Sequence, residues 1–242
     1  MPLMNADRLR QYLEYYRDLG FETLYRRVAA AAAPTAPPEP TMPNPLPSLA
    51  PDNDSLFQIL TDLGDCRRCR LHESRSKIVF GVGNEKSPVV FVGEGPGADE
   101  DAQGIPFVGR AGQLLTQMIE GTAQKEGIPL SRDEVYICNV VKCRPPGNRT
   151  PEPDEMTICG EFLYRQLSTI QPKAICALGG TAARALTGHK EGVTKMRGKW
   201  FQWREIPVMV TYHPSFLLRA YNQSAKREAW EDLKKLLHFV YD

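Results

Sequence analysis

The sequence lacks the features of an exported or membrane protein. No apolar run comes near the roughly 18 residues that a membrane-spanning helix requires, so we expect no transmembrane segment. The opening segment MPLMNADRLRQYLEYYRDLG has no apolar core preceded by basic residues, which argues against a secretory signal. We therefore expect a cytoplasmic protein that has no membrane partner.

The sequence also lacks an excess of charge of one sign. It has 30 Lys and Arg residues against 29 Asp and Glu residues, a net charge of +1. This balance neither requires nor excludes nucleic acid, because a DNA enzyme can confine its positive charge to one face. Six cysteines in a chain of 242 residues without an export signal argue against a disulfide framework and favour metal or redox use.

Composition divides the chain into three parts. Residues 1–28 place apolar side chains at helical spacing and predict an amphipathic helical segment, a candidate for docking a protein partner. Residues 29–52 are rich in alanine and proline and predict an extended linker. Residues 53–242 form the predicted catalytic domain, and a monomer is the default expectation.

The catalytic part alternates between short apolar runs and helical stretches. The predicted strands are PVVFVGE, VYICNVVKC, AICALGG and PVMVTYHPS. This alternation predicts a three-layer α/β/α fold around a mainly parallel four-stranded sheet. Ligands of such sheets bind beyond the carboxyl ends of the strands. We therefore expect the residues that end the four strands to meet at one edge: Glu94, Asn139, Gly179 and His213.

Four of the six cysteines have a spacing typical of metal ligands: Cys66, Cys69, Cys143 and Cys159. Such a set can bind a tetrahedral zinc ion or an iron–sulfur cluster, and the spacing does not separate the two. Four unrelated thiols are the alternative. Cys138 and Cys176 lie inside apolar strands, where a free cysteine is usually a small buried hydrophobe.

A glycine-rich loop follows the first predicted strand and runs GEGPGADEDAQGIPFVGR. Glycines between a strand and a helix indicate a close approach of the backbone to a ligand. The loop departs from the dinucleotide fingerprint and lacks the Lys-Ser/Thr ending of a phosphate-binding loop. Its carboxylates and Phe107 suit a neutral planar ligand and an activated water. The alternative for the acidic residues is capping of the helix that follows.

The last predicted strand ends in Tyr-His-Pro-Ser, followed by Phe-Leu-Leu-Arg. A lone histidine is more often a structural hydrogen-bonding group than a catalyst, but the position of His213 at the edge of the sheet favours function. Apolar side chains beside an arginine on a loop suit insertion into a base stack.

Together these segments resemble the family 4 uracil-DNA glycosylases, the iron–sulfur branch of the superfamily. The resemblance covers about residues 56 to 240. It is carried by GEGPGADEDAQGIPFVGRAGQLL, NVVKCRPPGNRTPEP, YHPSFLLR and the order of the four cysteines. It implies an enzyme that hydrolyses the N-glycosidic bond of uracil in single- or double-stranded DNA.

The resemblance also implies roles for single residues. The four cysteines would bind a [4Fe–4S] cluster, Phe107 would stack on the everted uracil, and Asn139 would read its edge. Gly93 and Gly95 would line the base pocket. The catalytic candidates are a histidine that stabilises the leaving uracil and a carboxylate that orients water, with two alternative carboxylates: His213, Glu94, Glu100 and Asp101. The candidate DNA contacts are Leu217, Leu218, Arg219, Arg144 and Arg149.

Two features leave alternatives open. Some other branches of the superfamily place an aspartate where this chain has Gly95, so the residue that orients water is not assigned by the resemblance alone. The inserted basic loop of related glycosylases that trap DNA covalently is absent from the sequence, which favours ordinary turnover. The competing interpretations are a module that binds uracil or damaged DNA without cleaving it, and a zinc-stabilised nucleotide hydrolase.

Overall fold

The structure, a computed structural model, describes residues 54–219 and 222–242. The predicted helical segment 1–28 and the predicted linker 29–52 lie outside the described residues. Within the described part, no helix has the length and apolar character needed to cross a membrane.

A six-stranded sheet forms the centre of the described part. Its strands, in chain order, are β1 (Val82–Gly83), β2 (Val89–Gly93), β3 (Tyr136–Asn139), β4 (Ala174–Leu178), β5 (Trp200–Trp203) and β6 (Ile206–Thr211). Their spatial order is β1-β3-β2-β4-β6-β5. The four inner strands are parallel, and the two edge strands run antiparallel to their neighbours.

Eight α-helices accompany these strands in the described part of the chain. They are α1 (Leu56–Leu63), α2 (Ala98–Gln103), α3 (Arg110–Glu126), α4 (Pro153–Ile170), α5 (Gly180–Thr187), α6 (Val193–Met196), α7 (Pro214–Leu217) and α8 (Gln223–Tyr241). Local sequence signals explain several starts. The Ser55 side chain caps α1 by accepting the Gln58 N–H bond at 3.1 Å, and α4 begins at a proline, which suits a first helical position.

Alternate residues of each inner strand enter two separate hydrophobic clusters. Val89 and Phe91 face the cluster that contains apolar residues of α3 and α8, whereas Val90 and Val92 face the cluster that contains α1, α4 and α5. Both faces of the sheet are therefore covered, which explains why its strands read as continuous apolar runs. The predicted α/β/α layers are confirmed.

The predicted number of strands is wrong, since the sheet has six strands and not four. The four predicted strands are the inner parallel ones. The missed edge strands carry weak signals, because β1 has only two residues and β5 is mostly exposed or half-exposed. An edge strand buries little apolar surface and therefore shows no continuous apolar run.

Candidate active site

A cavity of about 300 Å³ opens at the carboxyl ends of the four parallel strands. Its wall contains the residue after β2, the last residue of β3, the residue after β4 and a residue just beyond β6: Glu94, Asn139, Gly179 and His213. The predicted meeting of these residues at one edge is confirmed. Phe107 and Gly95 also line the cavity, so the structure brings three of the four predicted base-binding residues together there. The fourth, Gly93, is not part of the cavity wall.

Asn139 contributes a polar group that no other described residue satisfies. Its side chain is 1% exposed, and its Oδ1 atom is buried without a hydrogen-bond partner. Buried polar atoms are almost always paired, because an unpaired one costs about 1–3 kcal/mol. Since Asn139 lies in the cavity wall, its Oδ1 atom is available to accept a hydrogen bond from a ligand.

Gly93 allows two of the site residues to come together. A Cβ atom at this position would lie 2.5 Å from Cζ of Phe107 and would also overlap Oδ1 of Asn139. The aromatic ring and the amide oxygen thus both lie directly over the end of β2. Any larger residue at position 93 would displace at least one of them.

Phe107 has a backbone conformation that is unfavourable for a side chain of its size. Its φ angle is +54°, and its ring is 6% exposed and lies 5.7 Å from the His213 ring between centroids. A non-glycine residue in this region costs on the order of 1–3 kcal/mol and persists only where its surroundings hold it. The strain places a flat aromatic surface against the cavity.

The peptide groups on both sides of Phe107 are held by hydrogen bonds. The Glu100 carboxylate accepts the N–H bonds of Val108 and Gly109, both at 2.9 Å, and that of Gly97 at 3.1 Å. Arg132 donates to the carbonyl oxygen of Pro106 at 2.8 Å. Glu100 lines the cavity, but both of its carboxylate oxygens accept backbone N–H bonds, which disfavours a role in orienting water.

Asp101, the other alternative carboxylate, is not part of the cavity wall. It is 4% exposed, and its carboxylate accepts the backbone N–H bond of Ser76 at 2.9 Å. It therefore ties α2 to the segment before β1. The prediction of a catalytic role for Asp101 is wrong, because a carboxylate that faces away from the cavity cannot orient water there.

His213 presents a neutral imidazole to the cavity. The backbone N–H of Ser215 donates to Nδ1 at 3.2 Å, and the Ser215 hydroxyl oxygen lies 2.7 Å from the same atom. Since Nδ1 accepts, the proton of the neutral ring is on Nε2. Burial lowers the pKa of His213 to about 4, against a weaker opposing effect of Glu100. At neutral pH the ring is therefore a neutral Nε2–H donor.

Glu94 supplies a carboxylate to the same cavity. The Thr181 hydroxyl, in the first turn of α5, donates to Oε2 of Glu94. The main chain at Glu94 is held as well, because its carbonyl oxygen accepts the Val141 N–H bond at 3.2 Å. A held carboxylate beside an aromatic plate, an amide and a neutral imidazole can orient a water molecule or balance a positive charge.

The four cysteines with ligand-like spacing also come together. Cys69 interacts electrostatically with Cys66, Cys143 with both of them, and Cys159 with Cys143 and Cys69. All four border one hydrophobic cluster. Among the described residues, no three or more histidine, cysteine, aspartate or glutamate side chains are spaced to enclose a single metal ion.

Three of these sulfur atoms accept hydrogen bonds. Arg68 donates to Cys66 at 3.5 Å, Arg75 donates to Cys143 at 3.4 Å, and the Lys142 backbone N–H donates to Cys159 at 3.2 Å. Hydrogen bonds to sulfur are one of the ways in which proteins adjust iron–sulfur clusters. The donor set therefore fits such a cluster. Cys138 and Cys176 are fully buried in strands, where burial raises the pKa of both thiols, so the prediction that they are core residues is confirmed.

The loop between β3 and α4 connects the cysteines to the cavity. Arg149 lines the cavity, but its guanidinium donates two hydrogen bonds to the buried Glu155, at 2.7 and 2.9 Å. Arg70, next to Cys69, contacts the same carboxylate at 3.1 Å. Arg149 therefore has a structural role, and its contact with DNA phosphate stays a prediction. Arg144 donates through Nε to Asn148 at 2.8 Å, at the edge of the cavity.

The candidate residues for insertion into DNA, at the end of α7 and just after it, differ in burial. Leu217 is 1% exposed and packs in a cluster with Tyr212, Ala225 and Ala229. The prediction that it enters DNA is wrong, because withdrawing it would open the core. Leu218 is half-buried, and Arg219 is exposed, with its guanidinium 5.9 Å from the Phe216 ring centroid.

Sequence reasoning missed the residues that hold the site residues in position. Thr181 binds Glu94, Arg132 binds the chain before Phe107, and the Lys142 amine binds the Asn139 carbonyl. Nothing in the local sequence marks the first two. The sequence did give a signal for Ser215. It is the second residue of a helix that begins with Pro214, a position from which it can form a hydrogen bond with His213, the residue before that helix.

The chain is similar in sequence to proteins of one known family. Residues 80–234 match the family model described as the uracil DNA glycosylase superfamily. The chain is 45% identical over 190 residues to a type-4 uracil-DNA glycosylase of Thermotoga maritima, covering 77% of this chain and 96% of the relative. It is 44% identical over 191 residues to one of Sulfurisphaera tokodaii, covering 76% and 84%. For one of Archaeoglobus fulgidus the identity is 42% over 191 residues, covering 76% and 92%.

Proposed function

The chain belongs to the uracil-DNA glycosylase superfamily, and on this premise we propose that it removes uracil from DNA by hydrolysing the N-glycosidic bond. Relatives named type-4 uracil-DNA glycosylases support this function in DNA repair. The observation that carries the proposal is the buried Oδ1 atom of Asn139, unpartnered within the described residues, in a cavity shared with Phe107 and His213.

The substrate must leave the base stack before it reaches this cavity. Extruding a nucleotide from a duplex costs a few kcal/mol of stacking and pairing, and a single strand lacks the pairing part of that cost. Both forms of DNA are therefore proposed substrates. The Phe107 ring then offers a stacking surface for the extruded base, worth about 1–3 kcal/mol.

Asn139 distinguishes uracil from cytosine by its pattern of donors and acceptors. Oδ1 accepts from the N3–H group of uracil, and the amide nitrogen donates to the neighbouring carbonyl oxygen. Cytosine reverses this pattern and would leave buried polar groups unpaired. Unpaired groups of this kind support discrimination by factors of about 10⁴–10⁵.

Cleavage of the glycosidic bond leaves the electron pair on uracil and positive charge on the sugar. His213, neutral and protonated on Nε2, donates to the uracil oxygen on which negative charge develops. A neutral donor stabilises this charge without giving up its proton. Removing one such donor typically costs about 2.7–4 kcal/mol of transition-state stabilisation.

Glu94 acts on the sugar side of the bond. Its carboxylate balances the positive charge of the sugar and orients the attacking water. As the water oxygen bonds to C1′ of the sugar, the water passes a proton to this carboxylate, and the departed uracil keeps the electron pair of the broken bond. Thr181 holds the carboxylate through a hydrogen bond. With Glu100 and Asp101 engaged by backbone groups, Glu94 is the carboxylate that we assign to this step.

The four clustered cysteines are the proposed ligands of a [4Fe–4S] cluster: Cys66, Cys69, Cys143 and Cys159. When bound, the cluster would cross-link the segment before the 3₁₀ turn Arg70–Glu73, the loop that follows β3 and helix α4. Its proposed role is therefore structural. Arg144, Arg149, Leu218 and Arg219 remain the proposed contacts to DNA, and the enzyme is proposed to act as a monomer.

The decisive experiment is a cleavage assay on synthetic DNA. Single-stranded and duplex oligonucleotides with one uracil are incubated with anaerobically purified protein and then treated with alkali, which breaks the chain at abasic sites. Matched oligonucleotides with cytosine at the same position are the control. We expect breakage at uracil only, without added cofactor. If the protein binds the uracil oligonucleotides but leaves every glycosidic bond intact, it is a binding module and not an enzyme.

A further inference from the structure

Lys142 is buried in an unusual way for its residue type. Its side chain is 0% exposed, although lysine is almost never fully buried unless it is paired. Its Nζ atom donates to the carbonyl oxygen of Asn139 at 2.7 Å and to Oε1 of Gln166 at 2.6 Å. In the described part of the chain, no carboxylate forms an ion pair with it. Both acceptors are neutral.

Gln166, the second acceptor of the lysine amine, also contacts the other end of β3. Gln166 is itself fully buried, and its Nε2 atom donates to the hydroxyl of Tyr136 at 3.0 Å and to the carbonyl oxygen of Phe80 at 3.1 Å. Tyr136 is the first residue of β3 and Asn139 the last. The lysine amine therefore holds the last residue of β3 directly and is connected to the first residue through Gln166.

The main chain of Lys142 lies beside the cysteines. Its N–H group donates to Sγ of Cys159, and the next residue is Cys143. Its carbonyl oxygen accepts the Val79 N–H bond at 2.8 Å. One residue thus touches the base pocket through its amine and the four-cysteine site through its backbone.

Burial of an amine is costly, whereas an apolar side chain of similar length would fill the same space without that cost. What the amine adds is its hold on the Asn139 carbonyl. We propose that Lys142 is a positioning residue for uracil recognition, which holds Asn139 in register with the base and joins the base pocket to the four-cysteine site. This inference rests on the proposed glycosylase function.

The test compares the rates of four proteins on the uracil oligonucleotide: wild type, Lys142→Met, Asn139→Ala and the double variant. A misplacement of about 1 Å can cost about 100-fold in rate, so we expect Lys142→Met to lower kcat/KM by about 10- to 100-fold. If Lys142 acts through Asn139, the double variant is no slower than Asn139→Ala alone. Additive losses, or an unchanged rate in Lys142→Met, overturn the proposal.

A second readout separates positioning from general loosening. The inhibition constant of free uracil should rise in Lys142→Met by about the same factor as kcat/KM falls, while affinity for uracil-free DNA stays unchanged. The control is Lys173→Met, because the Lys173 amine also donates to a backbone carbonyl, that of Val240 at 3.0 Å. Lys173 directly precedes β4, whereas the cavity lies at the other end of that strand, at Leu178 and Gly179. This control should cleave at the wild-type rate.

A fallback variant covers the case in which Lys142→Met is not a well-folded protein. If Lys142→Met does not fold or loses the visible absorbance of the cluster, Gln166→Met replaces it, since that change removes the second acceptor and leaves the lysine in place. The fall in kcat/KM caused by Gln166→Met must likewise disappear when Asn139 is already alanine. If it does not, the proposal is wrong. If wild type itself does not cleave uracil DNA, the proposed function fails, which is a different result from additive losses in an active enzyme.

Discussion

His213 and Ser215 form a pair in which the backbone N–H of the serine donates to Nδ1 of the histidine at 3.2 Å. The pair caps the short helix α7 and at the same time selects the ring tautomer with its proton on Nε2. A local capping interaction thereby determines which nitrogen can donate into the cavity.

The ionisation of His213 is expected at an unusually low pH. Burial lowers the pKa of His213 to about 4, whereas the hydrogen bonds that the His238 ring donates to Glu126 and Asp242 raise the pKa of His238 above its ordinary 6.5. An NMR titration of the four histidines should show both displacements, in opposite directions. A midpoint for His213 near 6.5 would contradict the neutral-donor assignment.

The same shift affects activity and stability. Because His213 stays neutral down to about pH 4, kcat/KM should not fall through pH 6.5 on its account. Between pH 6.5 and about 4 the unfolded chain binds this proton and the folded chain does not. The contribution of His213 to the free energy of unfolding is therefore full above pH 6.5 and decreases as the pH falls through that window.

Removal of the imidazole should reduce catalysis more than folding. We expect His213→Ala to lower kcat by about 10²–10³-fold, as for the loss of one donor to a developing negative charge. Single-turnover rates measure this directly. His189→Ala is the control, because His189 packs its ring edge against Phe201, 5.1 Å away between centroids, and is not part of the cavity wall. Full activity in His213→Ala would remove it from the mechanism.

Substitution of Gly93 should disrupt the pocket by steric overlap. A Cβ atom there would displace the Phe107 ring or the Asn139 amide, so we expect Gly93→Ala to lose about 100-fold or more in kcat/KM. Gly121→Ala is the matched control. It lies inside α3 with no atom within 4 Å of the added methyl group, and should gain about 0.4–1 kcal/mol in unfolding free energy at unchanged activity.

The two adjacent leucines at α7 should respond differently to truncation. Leu217→Ala opens the core and is expected to lower the unfolding free energy by about 2–5 kcal/mol. Leu218→Ala should leave stability nearly unchanged and slow cleavage of duplex DNA more than cleavage of single strands, because only the duplex has a vacated space to fill. Denaturant melts and paired rate measurements distinguish the variants. Equal loss on both DNA forms would exclude insertion by Leu218.

Loss of one proposed cluster ligand should have a visible effect. Cys159→Ala is expected to yield protein without the brown colour of an iron–sulfur cluster and with lower resistance to heat. Cys176→Ala, which removes a buried sulfur that is not a proposed ligand, should keep the colour and cost only about 1 kcal/mol. Iron and sulfide analysis of both proteins completes the comparison. A colourless wild type with one zinc per chain would disprove the cluster.

The inner sheet and the outline of the site follow from local sequence. Continuous apolar runs mark the four parallel strands, because both faces of each strand are covered. Glu94, Asn139 and His213 lie at or just after the carboxyl ends of three of these strands. Because parallel strands end at the same edge of a sheet, the sequence already places the three residues at one edge. The cysteine spacing and the glycine-rich loop can likewise be recognised from residue types and their spacing alone.

Only the tertiary structure decided which polar groups are available for chemistry and which are already engaged. Asp101, Glu100 and Arg149 resemble functional residues in sequence, yet each is engaged by a partner that the local sequence does not assign to it. Leu217 and Leu218 are neighbours of the same type, and packing alone separates them. The physical reason is that hydrogen bonding and burial depend on contacts that only the folded backbone creates, between residues as near as Arg149 and Glu155 or as far apart as Ser76 and Asp101. Periodicity and composition do not encode these contacts.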